Sequence, residues 1–225
     1  MGQPSEDTRK FEASRDIIFG LISIVFGLFL MSNGLEQNSE FRRWQAAPLI
    51  QETGELQAVG SGSDVVMVGS IDLENPTSKG KVIYTYWEER RDPLEHGRRY
   101  WAHVSAKDYK PSSFQLLLGN QTVTVQSWQA SLRNTQTALI SFNTKLEGFA
   151  LGEKVTVFGT AVSPDAPFKV QANTICGGGS EECLEGLSVG PSFLLKVAPI
   201  LMLVGGGLIW AGARKSKAPP NESTA

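Results

Sequence analysis

Two apolar segments near the ends of the chain constrain the fold more than any other feature. The first covers residues 17–35, which is about the 20 residues that a bilayer-spanning helix needs. The second covers residues 193–213, and its single charge, Lys196, lies near its start, where a lysine side chain can reach the headgroups. We predict two transmembrane helices. The alternatives are a cleaved signal peptide for the first segment and a buried soluble helix for the second.

Basic residues flank both segments on the side of the nearer chain end. They are Arg9, Lys10 and Arg15 before the first segment, and Arg214, Lys215 and Lys217 after the second. Because Lys and Arg collect on the cytoplasmic side, we predict that the tails 1–16 and 214–225 are cytoplasmic. Arg42 and Arg43 weaken this argument. Residues 36–191 would then lie outside the cytoplasm, in a periplasm, at the exterior or in an organelle's intermembrane space.

The balance of basic and acidic residues bears on the class of partner. Lys and Arg total 21 and Asp and Glu total 23, so no basic excess indicates nucleic-acid binding. The expected partners are a lipid bilayer and either a membrane protein or a second copy of the chain. No cofactor is predicted.

Cys176 and Cys183 are the two cysteines, and a glycine-rich loop separates them. An oxidising compartment outside the cytoplasm would favour a disulfide between them. Two reduced thiols are the alternative, because spacing alone does not determine geometry.

Small residues recur in both apolar segments, where they let helix backbones approach closely. The first segment has Gly20, Gly27 and Gly34, seven residues apart, and the second has Gly205, Gly206 and Gly207. We predict that the two helices pack together or against a partner. The alternative is that membrane helices simply contain more glycine.

Between the helices the apolar pattern alternates with a period of two, which is typical of strands with one buried face. The clearest runs are 65–71, 82–90, 100–105, 114–118, 122–126 and 154–162. Only 127–132 and 144–151 show a short helical period. Gly69 and Gly159 each follow a β run, where a glycine often marks a bulge or the bend of a small barrel. We predict a mainly β domain with a small coiled OB-type barrel; a plain antiparallel hairpin is the alternative.

Several features follow one another between residues 60 and 172. They are Val68-Gly69 followed by Asn75-Pro76, the aromatic then charged run 82–91, Trp101, the run 114–125 around Gly119, and 151–155 leading to Gly159. In this order they resemble the GIDE-type (BAM) domain of membrane-anchored ubiquitin ligases. The family also has a membrane helix on each side of this domain. The resemblance implies a β fold and a membrane-anchored architecture.

The ligases of this family add a RING, which binds two zinc ions through about eight Cys and His ligands. This sequence has two cysteines and two histidines, and residues 214–225 contain neither. We therefore do not expect ubiquitin transfer by this chain alone. A relative without a RING that acts with a separate catalytic chain is the alternative.

Two further features are candidates for binding. Basic residues interleave with aromatic ones at Arg90, Arg91, Arg98, Arg99 and Trp101, which predicts a surface for anionic lipid or an acidic partner. A solvated hairpin neutralised by its own glutamates is the alternative. His96 and Tyr100 have the spacing of the haem-binding motif in periplasmic OB-fold haem chaperones, so a haem or metal carrier stays open.

Catalytic motifs do not emerge from the sequence, since it has no Gly-x-Ser-x-Gly elbow and no His with a recognisable nucleophile. The sequence favours a non-catalytic membrane protein whose β domain binds a partner or stabilises a membrane complex.

Overall fold

The structure is a computed structural model that describes residues 6–92 and 97–217. It divides into a helical unit, which ends at Phe41 and resumes at Leu187, and a β unit, Arg42–Gly186. His96, the histidine of the predicted haem spacing, lies outside the described residues, as do residues 1–5 and 218–225 of the predicted cytoplasmic tails.

Two long helices, α1 (Glu6–Ala46) and α3 (Ser180–Lys217), bound the β unit in sequence. Both are long and apolar enough to cross a membrane. Each extends beyond its apolar segment because hydropathy marks only the part suited to lipid, whereas the flanking Glu, Gln, Arg and Lys residues are also good helix formers. Pro191 and Pro199 both lie inside α3.

The β unit contains eleven strands and one short helix in its described residues. In chain order they are β1 (Leu49–Ile50), α2 (Thr53–Gln57), β2 (Asp64–Ile71), β3 (Ile83–Arg91), β4 (Arg99–His103), β5 (Ser113–Leu118), β6 (Gln121–Gln126), β7 (Ser131–Arg133), β8 (Gln136–Ser141), β9 (Thr144–Phe149), β10 (Lys154–Ser163) and β11 (Lys169–Gly177). A single 3-10 turn, Ser105–Lys107, follows β4.

Five strands close into a barrel in the order β2, β10, β11, β6, β5 and back to β2. Only the β11–β6 contact in this ring is parallel. Closure removes the exposed strand edges, as in other small OB-type barrels. The prediction of a mainly β, OB-like barrel is confirmed.

Alternating apolar side chains fill the barrel, which is why the period-two runs located its strands correctly. The innermost residues include Met67, Leu116, Val123, Val157 and Ile175, all fully or almost fully buried. Outside the barrel wall, the Trp44 ring lies 5.7 Å from that of Phe158, and both side chains are buried.

Two strand glycines lie where the barrel wall is tightest. A Cβ on Gly69 would lie 2.5 Å from the Leu117 carbonyl oxygen, at the β2–β5 closure. A Cβ on Gly159 would collide with the Gln171 carbonyl oxygen, and the β10–β11 register shifts just before Gly159. Both positions therefore need a residue without a side chain.

A second sheet has the strand order β4, β3, β9, β8. Its strands come from two segments of the chain, one between β2 and β5 and the other between β6 and β10. Tyr84, Tyr86 and Leu146 form its small core. The predicted short helix at 144–151 is wrong, because β9 occupies residues 144–149 and pairs with both β3 and β8. The helical candidate at 127–132 is also wrong, since it forms a turn that leads into β7. In both cases tertiary strand pairing overrides a weak local pattern.

Candidate functional site

An aromatic cluster lies on one face of the second sheet and consists of Trp87, Trp101, His103 and Lys145. Trp87 pairs with His103 across β3 and β4, and their rings are 5.1 Å apart. The Lys145 ammonium group on β9 lies 5.3 Å from the Trp87 ring centre and 5.1 Å from that of Trp101. Such contacts between a cation and aromatic rings stabilise the arrangement, and Trp101 remains 37% exposed.

The predicted basic surface is divided between the two sides of the β3–β4 hairpin. Arg91 pairs with Arg99 on the side of the aromatic cluster, whereas Arg90 pairs with Tyr100 on the opposite side. Arg98 directly precedes β4. The hairpin therefore does not present all four arginines on one face, although Trp101 and Arg99 share a face.

Glutamates of the same hairpin take up part of its positive charge. Arg99 Nη1 lies 3.4 Å from Glu89 Oε2, on the side of the aromatic cluster. On the other side Glu88 accepts a hydrogen bond from Lys107, which lowers the pKa of the Glu88 carboxyl and raises that of Lys107. These two ion pairs favour the alternative in which the hairpin is neutralised by its own glutamates over a surface that binds anionic lipid by charge alone.

His103 and Asp108 form a pair, with the His103 Nε2 atom 3.0 Å from each carboxylate oxygen. Asp108 also accepts a hydrogen bond from the Tyr86 backbone N–H at 2.9 Å, which ties the turn after β4 to β3. Within residues 6–92 and 97–217, no group of three His, Cys, Asp or Glu side chains converges as a metal site would require. The geometry of this pair is that of a structural link.

The hairpin of β8 and β9 carries exposed apolar residues that the sequence analysis did not identify. Leu139, Ile140 and Phe142 are 70%, 47% and 90% exposed. No charged residue occurs between Arg133 and Lys145. This uncharged stretch could have indicated the exposed apolar hairpin in the sequence. It was missed because apolar and polar residues alternate only weakly there.

Two separate cavities adjoin the outer side of β6. One, of about 670 Å³, is lined by α2, the start of β6 and the β10–β11 loop, and the other, of about 310 Å³, lies near Lys169. Thr122, Thr124 and Gln126 supply neutral hydrogen-bonding groups, and Trp128 is 58% exposed beside them. OB-type barrels bind extended ligands on the corresponding face.

The two cysteines are joined in the structure. A disulfide links Cys176, at the end of β11, to Cys183, near the start of α3, with their Cα atoms 6.0 Å apart. Both residues are buried. The bond ties the last barrel strand to the first turn of α3.

Within the helical unit, the predicted glycines fall into two groups. Gly20, Gly27, Gly34 and Gly205 lie against the opposite helix, and a Cβ on Gly27 would lie 3.0 Å from the Ala198 carbonyl oxygen. A Cβ on Gly206 or Gly207 would meet no atom within 4 Å, so these two residues lie outside the contact. The difference follows from helix geometry, since consecutive residues point in different directions.

Comparison with known proteins adds little. No family model matches the chain, and no curated protein matches it significantly in sequence. The solved structure of the telomere capping protein Ten1 from Saccharomyces pombe is similar over 64% of this chain and 95% of that one, with 12% identity and a TM-score of 0.31. A likeness at that level carries no functional conclusion, and the OB-like assignment rests on strand order alone.

Proposed function

We propose that the chain is a non-catalytic, membrane-anchored binding protein. Its two apolar helices cross a bilayer with both chain ends in the cytoplasm, and the β unit binds a membrane-protein partner on the other side. The basic flanks of the helices support this orientation. The disulfide supports it as well, because disulfides persist outside reducing compartments.

The aromatic cluster is the observation that carries the binding role. Trp101 is 37% exposed and stands beside Trp87, with Lys145 over both rings. Tryptophan is among the residue types that most often dominate the binding energy of protein interfaces, because its side chain buries a large area. This surface is built on an insertion into the barrel, where it can vary without disturbing the barrel core.

The resemblance to GIDE-type domains belongs to the same proposal. In that reading the β unit is the partner-binding part, and ubiquitin transfer would be carried out by a separate catalytic chain. The OB-like barrel and the apolar helix on each side of it in sequence support this relationship.

Co-purification from native membranes tests the proposal. The tagged full chain is extracted in mild detergent, and stoichiometric partners are identified by mass spectrometry. We expect Trp101→Ala to reduce partner recovery at least fivefold, and Leu73→Ala, at an exposed apolar side chain in the loop between β2 and β3, to leave it unchanged. Recovery of the chain without any stoichiometric protein would contradict the proposal, and recovery of a ubiquitin-conjugating or ligase chain would identify the partner class.

A further inference from the structure

The outer edge of the second sheet carries an inference about self-association of the chain. β8 is an outermost strand and pairs only with β9 among the described residues. Its outward backbone N–H and C=O groups can therefore accept another strand. Natural proteins protect such edges with charged residues or proline, and residues 134–144 contain neither.

A β-bulge can also protect a strand edge, but in β8 the bulge affects only the end of the strand. The β8–β9 register is irregular only between Leu139 and Ser141, next to the turn. Gln136, Thr137, Ala138 and Leu139 pair with consecutive residues of β9 without interruption. A four-residue regular edge is enough for a short intermolecular ladder.

The apolar side chains at this edge need cover as well. Leu139 and Phe142 are 70% and 90% exposed, which is unusual for side chains so close together on a protein surface. A bilayer could cover them, but it cannot pair the backbone of β8, and unpaired backbone groups are costly in hydrocarbon. A second strand would both pair the backbone of β8 and cover these side chains.

We propose that β8 pairs with β8 of a second copy of this chain, antiparallel and across a two-fold axis near Ala138 and Leu139. An uncharged strand meets its own copy without like-charge repulsion, and the apolar Leu139 side chains come together near the axis. Anchoring both copies in one membrane raises their effective concentration. This last point rests on the proposed membrane anchoring.

Cysteine cross-linking of the full chain in native membranes tests this pairing. The native cysteines are already joined, so single variants Thr137→Cys, Ala138→Cys and Leu139→Cys each add one free thiol. We expect mild oxidation to give at least tenfold more covalent dimer from the best of these than from Leu73→Cys, whose side chain is 72% exposed in another loop. Equal yields, or a cross-link to a protein of different mass, would overturn the proposal.

A charge variant gives a second measurement that does not require cross-linking. Thr137→Lys places like charges near the axis, and Thr137 is exposed and lies opposite Glu147, so the new charge meets no like charge across the strand pair in its own chain. We expect it to convert the detergent-solubilised dimer to monomer by light scattering, while Leu73→Lys stays dimeric. A dimer that survives Thr137→Lys would overturn the pairing. Partner recovery in the co-purification experiment is scored separately, so loss of self-association and loss of partner binding are distinguishable.

Discussion

Gly20 of α1 and Gly205 of α3 lie directly against each other in the helical unit. A Cβ on Gly20 would lie 2.6 Å from the Gly205 carbonyl oxygen, and a Cβ on Gly205 would lie 2.5 Å from the Gly20 carbonyl oxygen. The two backbones therefore approach to a distance that only glycine permits on both helices.

This contact predicts that Gly205→Ala destabilises the helical unit, because the added methyl group forces the helices apart. Overpacking of this kind typically costs about 1–3 kcal/mol. Thermal unfolding of the full chain in detergent measures the change. Gly206→Ala is the matched control, since its Cβ would meet no atom within 4 Å. Equal melting temperatures for the two variants would show that the contact does not contribute.

The closure of the barrel at Gly69 leads to a second prediction. We expect Gly69→Ala to lower the free energy of unfolding by about 2 kcal/mol, because its Cβ would meet the Leu117 carbonyl oxygen and the Leu116 side chain. Urea unfolding followed by tryptophan fluorescence is the measurement. Gly54→Ala, in α2 with no atom near its Cβ, should be neutral or slightly stabilising. A neutral Gly69→Ala would mean that the closure can relax.

The ion pair between Arg43 and Asp64 predicts a dependence of stability on pH. Arg43 donates two hydrogen bonds to the Asp64 carboxylate, which lowers the pKa of that carboxyl in the folded protein. A lowered folded pKa means that the pair stabilises the fold above the ordinary pKa of about 4, and that this contribution is lost as the pH falls below it.

We expect Arg43→Met to cost about 1 kcal/mol of stability at pH 7, because both side chains are partly exposed and screened by solvent. The difference from the unaltered chain should shrink when unfolding is measured below about pH 4. Arg42→Met, at the neighbouring exposed position, is the control. A difference that stays constant from pH 7 to pH 3 would show that the loss comes from packing of the arginine stem and not from the charge pair.

The disulfide between Cys176 and Cys183 leads to a fourth prediction. In membranes dissolved in SDS, a maleimide reagent should label the chain only after reduction. Cys183→Ser should expose Cys176 to labelling without reduction and reduce stability by about 2 kcal/mol, since the bond closes a short loop. Labelling of the unaltered, unreduced chain would show free thiols and would argue against an oxidising location.

The alternation of apolar residues in the sequence was sufficient to predict most strands of the barrel. The runs at 65–71, 114–118, 122–126 and 154–162 match observed strands within one residue at each end, because each buries alternate side chains in one core. Residues 144–151 were a short helical candidate by their apolar period, and only pairing with the two neighbouring strands makes 144–149 a strand. The short strands β1 and β7 were missed, as were β8 and β11; none of the β8 side chains is buried.

The candidate site depended even more on tertiary structure. Sequence proximity grouped Arg90, Arg91, Arg98 and Arg99 into one surface, but strand pleating sends neighbouring side chains to opposite faces. Lys145 comes to lie over Trp87 and Trp101 only because β9 pairs with β3, some sixty residues earlier in the chain. No local pattern carries that information.

By itself, the sequence determined the two apolar helical segments, the mainly β character of the region between them and the glycines that barrel closure requires. These follow from hydropathy, side-chain alternation and the steric freedom of glycine, which act within a few residues. Only the tertiary structure decided which strands close the barrel, which glycines of the helices touch, how the arginines divide between two faces and that β8 is an uncharged open edge. Those outcomes depend on pairing between distant segments, which is decided by the burial of the whole chain.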